Sequence, residues 1–399
     1  MSTDCQTAPE PRWSTLASKP SSSVIRDLLK LAARPEVISF AGGLPSPAGF
    51  PIDDIAKACQ TVLAQHGKHA LQYSMVEGEV ELRREIARRE TQKGIPTTYE
   101  QVQIVSGSQQ ALDLLARVFL DKGDKVLVES PTYMGALQAF DLCEPVYVEL
   151  PCDEQGLNPA EFGEECRGAK FAYVMPTASN PTGLTISEER RKLLAQKARE
   201  YDMWLVEDDP YGELWYDQKP PASLRKWAPE RVIRLGTLSK ILAPGFRLGY
   251  VIAPADVLNK FASIKQAIDL HTATFTQLIS AQVFSEDLLV RHLPSVRERY
   301  KTHARAMLAA LDEFMPEGVT WTKPNAGMFI WVTLPEYMDA TALMSDVLAQ
   351  NVAYVPGESF YATNPQKNHF RLSFVTVDPD VIKEGVRRLA QVIRLHITK

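Results

Sequence analysis

The sequence predicts an α/β fold in which a large domain with a mostly parallel sheet between helices is joined to a smaller α+β domain. Three observations predict it. At 399 residues the chain exceeds one small core, given about 150 residues per domain. From Gln101 to Pro254 short β-rich runs alternate with helical patterns, and several runs are apolar on both faces, as strands covered by helices on both sides must be. Beyond about residue 290 the rhythm changes to one long helical stretch, then short strands and helices.

The first 22 residues are rich in Ser, Thr and Pro and read as an arm, followed by a short amphipathic helix through Val24, Ile25, Leu28, Leu29 and Leu31. Ala41 to Pro51 carries too many Gly and Pro for a regular element and reads as a loop, with Asp53 and Asp54 placed to open the next helix. Seven runs then read as strands: QVQIVSG at Gln101, KVLVES at Lys125, PVYVEL at Pro145, FAYVMP at Phe171, MWLVEDD at Met203, RVIRLGT at Arg231 and RLGYVIAP at Arg247. Helices are expected from Gln109 to Leu120 and from near Tyr133 to Asp141. The last part starts with the helical stretch Leu288 to Phe314 and has strands around Met328–Thr333 and His369–Phe374. There is no repeat, low-complexity tract or Ser/Gly linker.

The 44 basic and 49 acidic side chains leave a net charge of −5, so no global positive field draws the chain to nucleic acid or anionic lipid. Small molecules are the expected partners. The five cysteines are scattered and never spaced as CxxC, which fits free thiols in a reducing compartment and hence a cytoplasmic address. Neither a signal peptide nor an apolar run of the roughly 18 residues a membrane span needs is visible.

Five segments carry groups with chemical potential, each with a plainer alternative. Ser106-Gly107-Ser108-Gln109-Gln110 joins a strand to a helix, where free backbone N–H groups and the macrodipole favour an anion; it also reads as an ordinary capped turn. Thr237-Leu238-Ser239-Lys240 and Pro244-Gly245-Phe246-Arg247 gather two hydroxyls, an ammonium and a guanidinium in one loop, suited to a phosphate and to an amine nucleophile of lowered pKa, or to nothing more than solvent. Glu207-Asp208-Asp209-Pro210-Tyr211 ends a buried strand, where an α/β sheet faces its ligand crevice or where a turn caps the next helix; no metal motif accompanies it. Ser179-Asn180-Pro181-Thr182-Gly183 follows another strand, at a site or a turn. Arg371 lies inside a strand, where a charge is costly unless it meets a carboxylate, such as a substrate's. LRREIARRE at Leu82 reads as a solvated helix face, His66 and His69 as surface or capping residues, and Gly42-Gly43 as no dinucleotide fingerprint.

Taken together, anion donors, a lysine, an acid, an asparagine and a remote arginine are the parts of one cofactor site. The ordered set AGGLP, LQYS, SGSQQALDL, PTY, SNPTG, EDDPY, SK followed by PGFRLGY, and FRLSF resembles the class I, fold-type-I pyridoxal-phosphate aminotransferases, and among them the group of 2-aminoadipate, kynurenine and aromatic aminotransferases. The resemblance runs from about Ser23 to the C-terminus. It implies a seven-stranded, mostly parallel sheet, with residues 1–54 as arm, lid helix and part of the small domain, 55–290 as the cofactor-binding domain and 291–399 as the small domain.

For individual residues the resemblance implies that Lys240 holds the cofactor aldehyde as a Schiff base and then moves the proton between the substrate α-carbon and C4′. Asp208 would keep the pyridine nitrogen protonated, Asn180 and Tyr211 would bond the phenolic oxygen, and Tyr133 would stack on the ring. Ser108, Gln109, Thr237, Ser239 and Arg247 would bind the phosphate, with Tyr73 reaching it from the other subunit of a homodimer. Arg371 would pair with the substrate α-carboxylate and Gly43 would lie against the substrate. Ser23 and Arg26, on the lid helix, would select the substrate side chain, Arg26 by receiving a distal carboxylate. The expected activity is transfer of an amino group from an aromatic, 2-aminoadipate-like or broadly chosen L-amino acid to 2-oxoglutarate. A β-lyase would use the same residues. The effector domain of a GntR-type regulator shares the fold, but that reading needs a winged DNA-binding domain ahead of AGGLP, and with AGGLP already at Ala41 it is not the expected one.

Overall fold

A computed structural model of the protein describes residues 11–14, 16–18 and 34–397. The helix expected at Val24–Leu31, with Ser23 and Arg26, lies outside the described residues. The strands are, in chain order, β1 (Ile38–Ser39), β2 (Val102–Val105), β3 (Lys125–Glu129), β4 (Val146–Leu150), β5 (Cys152–Asp153), β6 (Gly156–Leu157), β7 (Phe171–Val174), β8 (Trp204–Asp208), β9 (Val232–Thr237), β10 (Gly249–Ile252), β11 (Thr320–Trp321), β12 (Phe329–Thr333), β13 (Val352–Ala353), β14 (Val355–Pro356) and β15 (His369–Ser373).

The central sheet has seven strands in the order β2-β10-β9-β8-β7-β3-β4. They correspond to the seven runs read as strands, and the fold is the expected α/β class. Only β10 runs antiparallel, against both β2 and β9. The other contacts in the sheet are parallel. Apolar residues on both faces explain this arrangement: β2, β7 and β10 are buried at every position, which requires helices above and below. Because β10 is reversed, the loop leaving β9 and the start of β10 lie at the same edge of the sheet. That edge also receives the carboxyl ends of β2, β3, β7 and β8.

A second sheet, β11-β12-β15-β14, is antiparallel throughout, and the helices Leu288–Phe314 and Pro379–His396 pack against each other and share one buried apolar core with its strands. The long helix has the predicted limits and contains Pro294. The two-residue strands β1 and β13 pair in parallel, and Phe40 extends the link by donating its N–H to Ala353 O at 2.8 Å and accepting from Ser373 N at 2.8 Å. The segment Ala41–Gly43 thereby leaves the small sheet toward the large one.

The helix Val80–Gln92 corrects one expectation. LRREIARRE is not a uniformly solvated face: Leu82, Ile86, Ala87 and Glu90 are buried. Glu90 is inside because Arg234 of β9 meets it at 3.0 Å, and Arg89 reaches Glu213 at 2.8 Å. A buried charge with an ionic partner keeps the helical spacing of a surface charge, so the pattern alone does not distinguish them.

Among the described residues no helix is long and apolar enough to cross a membrane. Cys59, Cys143, Cys152 and Cys166 are free thiols.

Candidate active site

A cavity of about 650 Å³ opens at the edge where the strand ends converge and extends to β12 and β15 of the small sheet. Ser108, Gln109, Tyr133, Asn180, Asp208, Tyr211, Thr237, Ser239, Lys240, Arg247, Gly43 and Arg371 all line it. Tyr73 does not; it is 74% exposed on the surface, with its ring edge-on to His271.

After β2 the chain turns at Gly107, whose φ of +84° suits glycine. A Cβ there would also fall 2.7 Å from Nη2 of Arg247, so a side chain at this position would push the guanidinium aside. Ser108 then opens the helix Ser108–Phe119; Gln110 N already donates to Gly107 O at 3.1 Å, so the backbone N–H groups of Ser108 and Gln109, both at the cavity wall, are the ones the helix leaves to an anion. Gln109 uses its side chain locally, donating Nε2 to Gly135 O at 3.0 Å. In the return loop from β9 to β10, Thr237 Oγ1 accepts from Ser239 N at 3.1 Å, and Arg247 begins the return in the left-handed region with φ of +53°.

Lys240 lies in that loop and donates Nζ to Gly43 O at 2.7 Å. Burial, then the like charges of Arg371 and Arg247, lower its pKa to about 8. The ε-amine is thus far nearer neutrality than a solvated lysine, as a nucleophile or proton carrier requires.

The three consecutive carboxylates of EDDPY separate by strand alternation. Asp208 faces the cavity, whereas Glu207 and Asp209 meet Arg234 on the other side, at 3.2 and 2.8 Å. Asp209 also accepts from Gly212 N at 2.8 Å, fixing the turn that carries Pro210 and Tyr211. Asp208 is 3% exposed, and burial raises its pKa to about 6 against the opposing hydrogen bond from Tyr173. Among the described residues no group of three or more His, Cys, Asp or Glu side chains is placed to hold a metal.

Arg371 stands on β15 between Trp331 and Val355. Its Nη1 donates to Asn180 Oδ1 at 2.7 Å and its Nη2 to Ala41 O at 2.9 Å. The guanidinium carbon sits 4.1 Å from the centre of the Phe329 ring and 5.2 Å from that of Phe360. Burial lowers its pKa to about 10. Among the described residues its hydrogen-bond partners are an amide and a backbone carbonyl and not a carboxylate, and Nε has no hydrogen-bond partner. A buried guanidinium so arranged suits an incoming carboxylate.

Sequence reasoning did not single out Tyr173, Phe329, Leu44, Met134 or Val355. A tyrosine inside a fully buried strand needs a partner for its hydroxyl, and that was the available signal for Tyr173. The apolar lining residues have no such signal, because their patterns match ordinary core.

The site has the features that a phosphorylated pyridine aldehyde requires. The bare Gly107 beside Arg247 and a helix N-terminus suit the phosphate, Asp208 a ring nitrogen, and the Lys240 amine an aldehyde.

The comparisons point the same way. The family profile "Aminotransferase class I and II" matches residues 35–389. Aromatic-amino-acid aminotransferase 1 of Thermococcus litoralis is 45% identical over 94% of this chain and 93% of its own length. The 2-aminoadipate transaminase of Thermus thermophilus is 41% identical over 95% of each. The crystal structure of Pyrococcus horikoshii kynurenine aminotransferase, in complex with PMP, superposes with a TM-score of 0.93 at 43% identity, covering 97% of this chain and 98% of that one. With a family match across most of its length and relatives above 40% identity, the chain belongs to the class I and II aminotransferases and is a pyridoxal-phosphate-dependent enzyme acting on amino and 2-oxo acids.

Proposed function

We propose that the protein moves the amino group of an aromatic, 2-aminoadipate-like or broadly chosen L-amino acid to 2-oxoglutarate in a ping-pong cycle. The observation that carries this reading is one cavity holding both a lysine amine lowered to about 8 and a buried arginine without a carboxylate partner among the described residues. One lysine and one carboxylate-binding arginine serve one substrate at a time, so donor and acceptor take turns.

Bound pyridoxal phosphate supplies an aldehyde that captures amines and a ring that withdraws electrons from the substrate α-carbon. Lys240 would hold the aldehyde carbon and, once released, its neutral amine would move the proton at the α-carbon. Arg371 would grip the α-carboxylate, with Gly43 alongside. Asp208 would hold the proton on the ring nitrogen, Asn180 and Tyr211 would bond the phenolic oxygen, and Tyr133 would cover the ring. Ser108, Gln109, Thr237, Ser239 and Arg247 would take the phosphate. Leu44, Met134, Phe329 and Val355 give the cavity apolar surface suited to an aromatic side chain, in keeping with the aromatic and kynurenine names of the relatives. Ser23 and Arg26 would add selectivity for acidic side chains.

The exposed Leu71, Tyr73, Met75 and Leu270 support a homodimer in which Tyr73 reaches the partner's phosphate. The free thiols support a cytoplasmic setting.

The test adds single amino acids to the holoenzyme while its cofactor absorbance is followed, then restores the spectrum with single 2-oxo acids. Aromatic donors and 2-oxoglutarate should complete the cycle. A cofactor spectrum unmoved by every donor would overturn the reading.

A further inference from the structure

Asp208 is the most deeply buried charge-bearing group on the cavity wall after the strand ends are assembled, and its surroundings oppose its ionisation. It is 3% exposed, and Asp209, the next residue, adds a like charge. Two features work the other way. Arg234 stands on the reverse side, where it is already shared by Glu90, Glu207 and Asp209. Tyr173 of β7, the strand beside β8, donates its hydroxyl to Asp208 Oδ2 at 2.7 Å, the one side-chain hydrogen bond to this carboxylate among the described residues.

The phenol is well placed for a permanent donor. Tyr173 is completely buried, its ring packs edge-on against Phe140 at 5.7 Å, and burial together with Asp208 keeps its hydroxyl protonated far above the working range. Tyr133 also faces Asp208 electrostatically, but no hydrogen bond joins them.

We propose that Tyr173 is a positioning residue for Asp208: it occupies Oδ2, leaves Oδ1 to face the cofactor's ring nitrogen, and keeps the proton between them on nitrogen. This rests on the proposed role of Asp208 as the ring-nitrogen partner. The physical reason is acceptor basicity. A hydrogen bond to the ionised carboxylate stabilises that form, so its loss makes the carboxylate a stronger base. The shared proton then moves from nitrogen toward oxygen, and the ring withdraws electrons less strongly. No other bond changes.

The experiment uses holoenzyme reconstituted with pyridoxal phosphate labelled with ¹⁵N in the ring, and reads the nitrogen chemical shift by NMR. Tyr173→Phe removes only the hydroxyl and keeps the packed ring. Its ¹⁵N signal should move toward the value of the unprotonated ring, and its amino-acid half-reaction should slow about tenfold, the scale of one charge-assisted hydrogen bond. Asp208→Asn should move the signal further in the same direction. Phe140→Leu, which loosens the packing around Tyr173 without touching a polar group, should lower thermal stability and leave the signal in place.

If Asp208→Asn moves the signal and Tyr173→Phe does not, the Tyr173 proposal fails while the Asp208 reading stands. If Phe140→Leu moves it as much as Tyr173→Phe, the effect is one of packing and the proposal is overturned. If Asp208→Asn itself leaves it unmoved, the Asp208 reading fails and the proposal with it.

Discussion

On the proposed reading, Lys240 both anchors the cofactor and carries the substrate proton. Lys240→Ala should abolish turnover by several orders of magnitude, more than the about 10²- to 10⁴-fold of a typical general base, because anchoring and proton transfer are lost together. Steady-state assays on a variant whose circular dichroism matches the parent check this. The apoprotein gives a second outcome. Capture of pyridoxal phosphate requires the unprotonated amine, and the burial that lowers Lys240 to about 8 should make the capture rate rise with pH and level off near that value rather than near 10.5. Stopped-flow mixing across pH 6.5 to 10 measures it, and a rate still climbing at pH 10 would contradict the lowered amine.

At this scale the sequence was most informative where a residue's chemistry is unusual for its place. An arginine inside a strand and a lysine among hydroxyls stand out against base rates, and both line the cavity. The three carboxylates of EDDPY did not separate until strand direction was known. Phe329 looked like core, and beside Arg371 it also is core.

The clamp between β8 and β9 belongs to the scale of elements. Arg234 is paired in register with Glu207 and touches Glu90 and Asp209 as well. Burial works against the charge on Glu90, yet Arg234 and Lys93 hold its pKa down to about 2. Arg234→Met would leave Glu90, Glu207 and Asp209 inside without their shared cation, so denaturant unfolding at neutral pH should show a loss of about 3 to 5 kcal/mol. Glu129 at the end of β3 is the opposite case. Burial raises its pKa from 4.5 to about 7, while Met175 N donates to it at 2.8 Å. Its proton is held more tightly in the folded chain, so stability falls as pH rises through that window, and above it the cost is roughly 3 kcal/mol. Glu129→Gln keeps an acceptor for Met175 and should melt higher than the parent at pH 8.5, with the difference shrinking as pH falls and gone only below 4.5. Elements with clear periodicity, such as the helix Leu288–Phe314, were legible to the residue. The two-residue strands β1 and β13 were not, because a period needs more than one repeat to be seen.

For the whole molecule, the alternation of runs revealed the strands of the large sheet, and most of the residues carried by the motifs line one cavity. What the chain alone did not reveal was how the small sheet is tied in, since Phe40 joins Ala353 and Ser373 through backbone groups that carry no side-chain signature. Tyr73 belongs to this scale too. Leu71→Asp places a charge on the exposed apolar surface beside it, and should shift the sedimentation profile from dimer to monomer. If Tyr73 acts across that surface, the same variant should lose pyridoxal phosphate on dialysis more readily than the parent. A monomer that retains the cofactor as well as the parent would place Tyr73 outside the site.

The reversed strand β10 also has a bearing on how the site assembles in time. Thr237 and Gly249 pair across one short return, so Lys240 and Arg247 come together by closing a small loop, at little cost in chain entropy. Asn180 and Arg371 are 191 residues apart and meet only when both sheets are in place. Topology therefore favours an order during folding: the half of the cavity that carries Lys240 and Arg247 is contact-local and closes first, and the half that carries Asn180 and Arg371 is non-local and closes last.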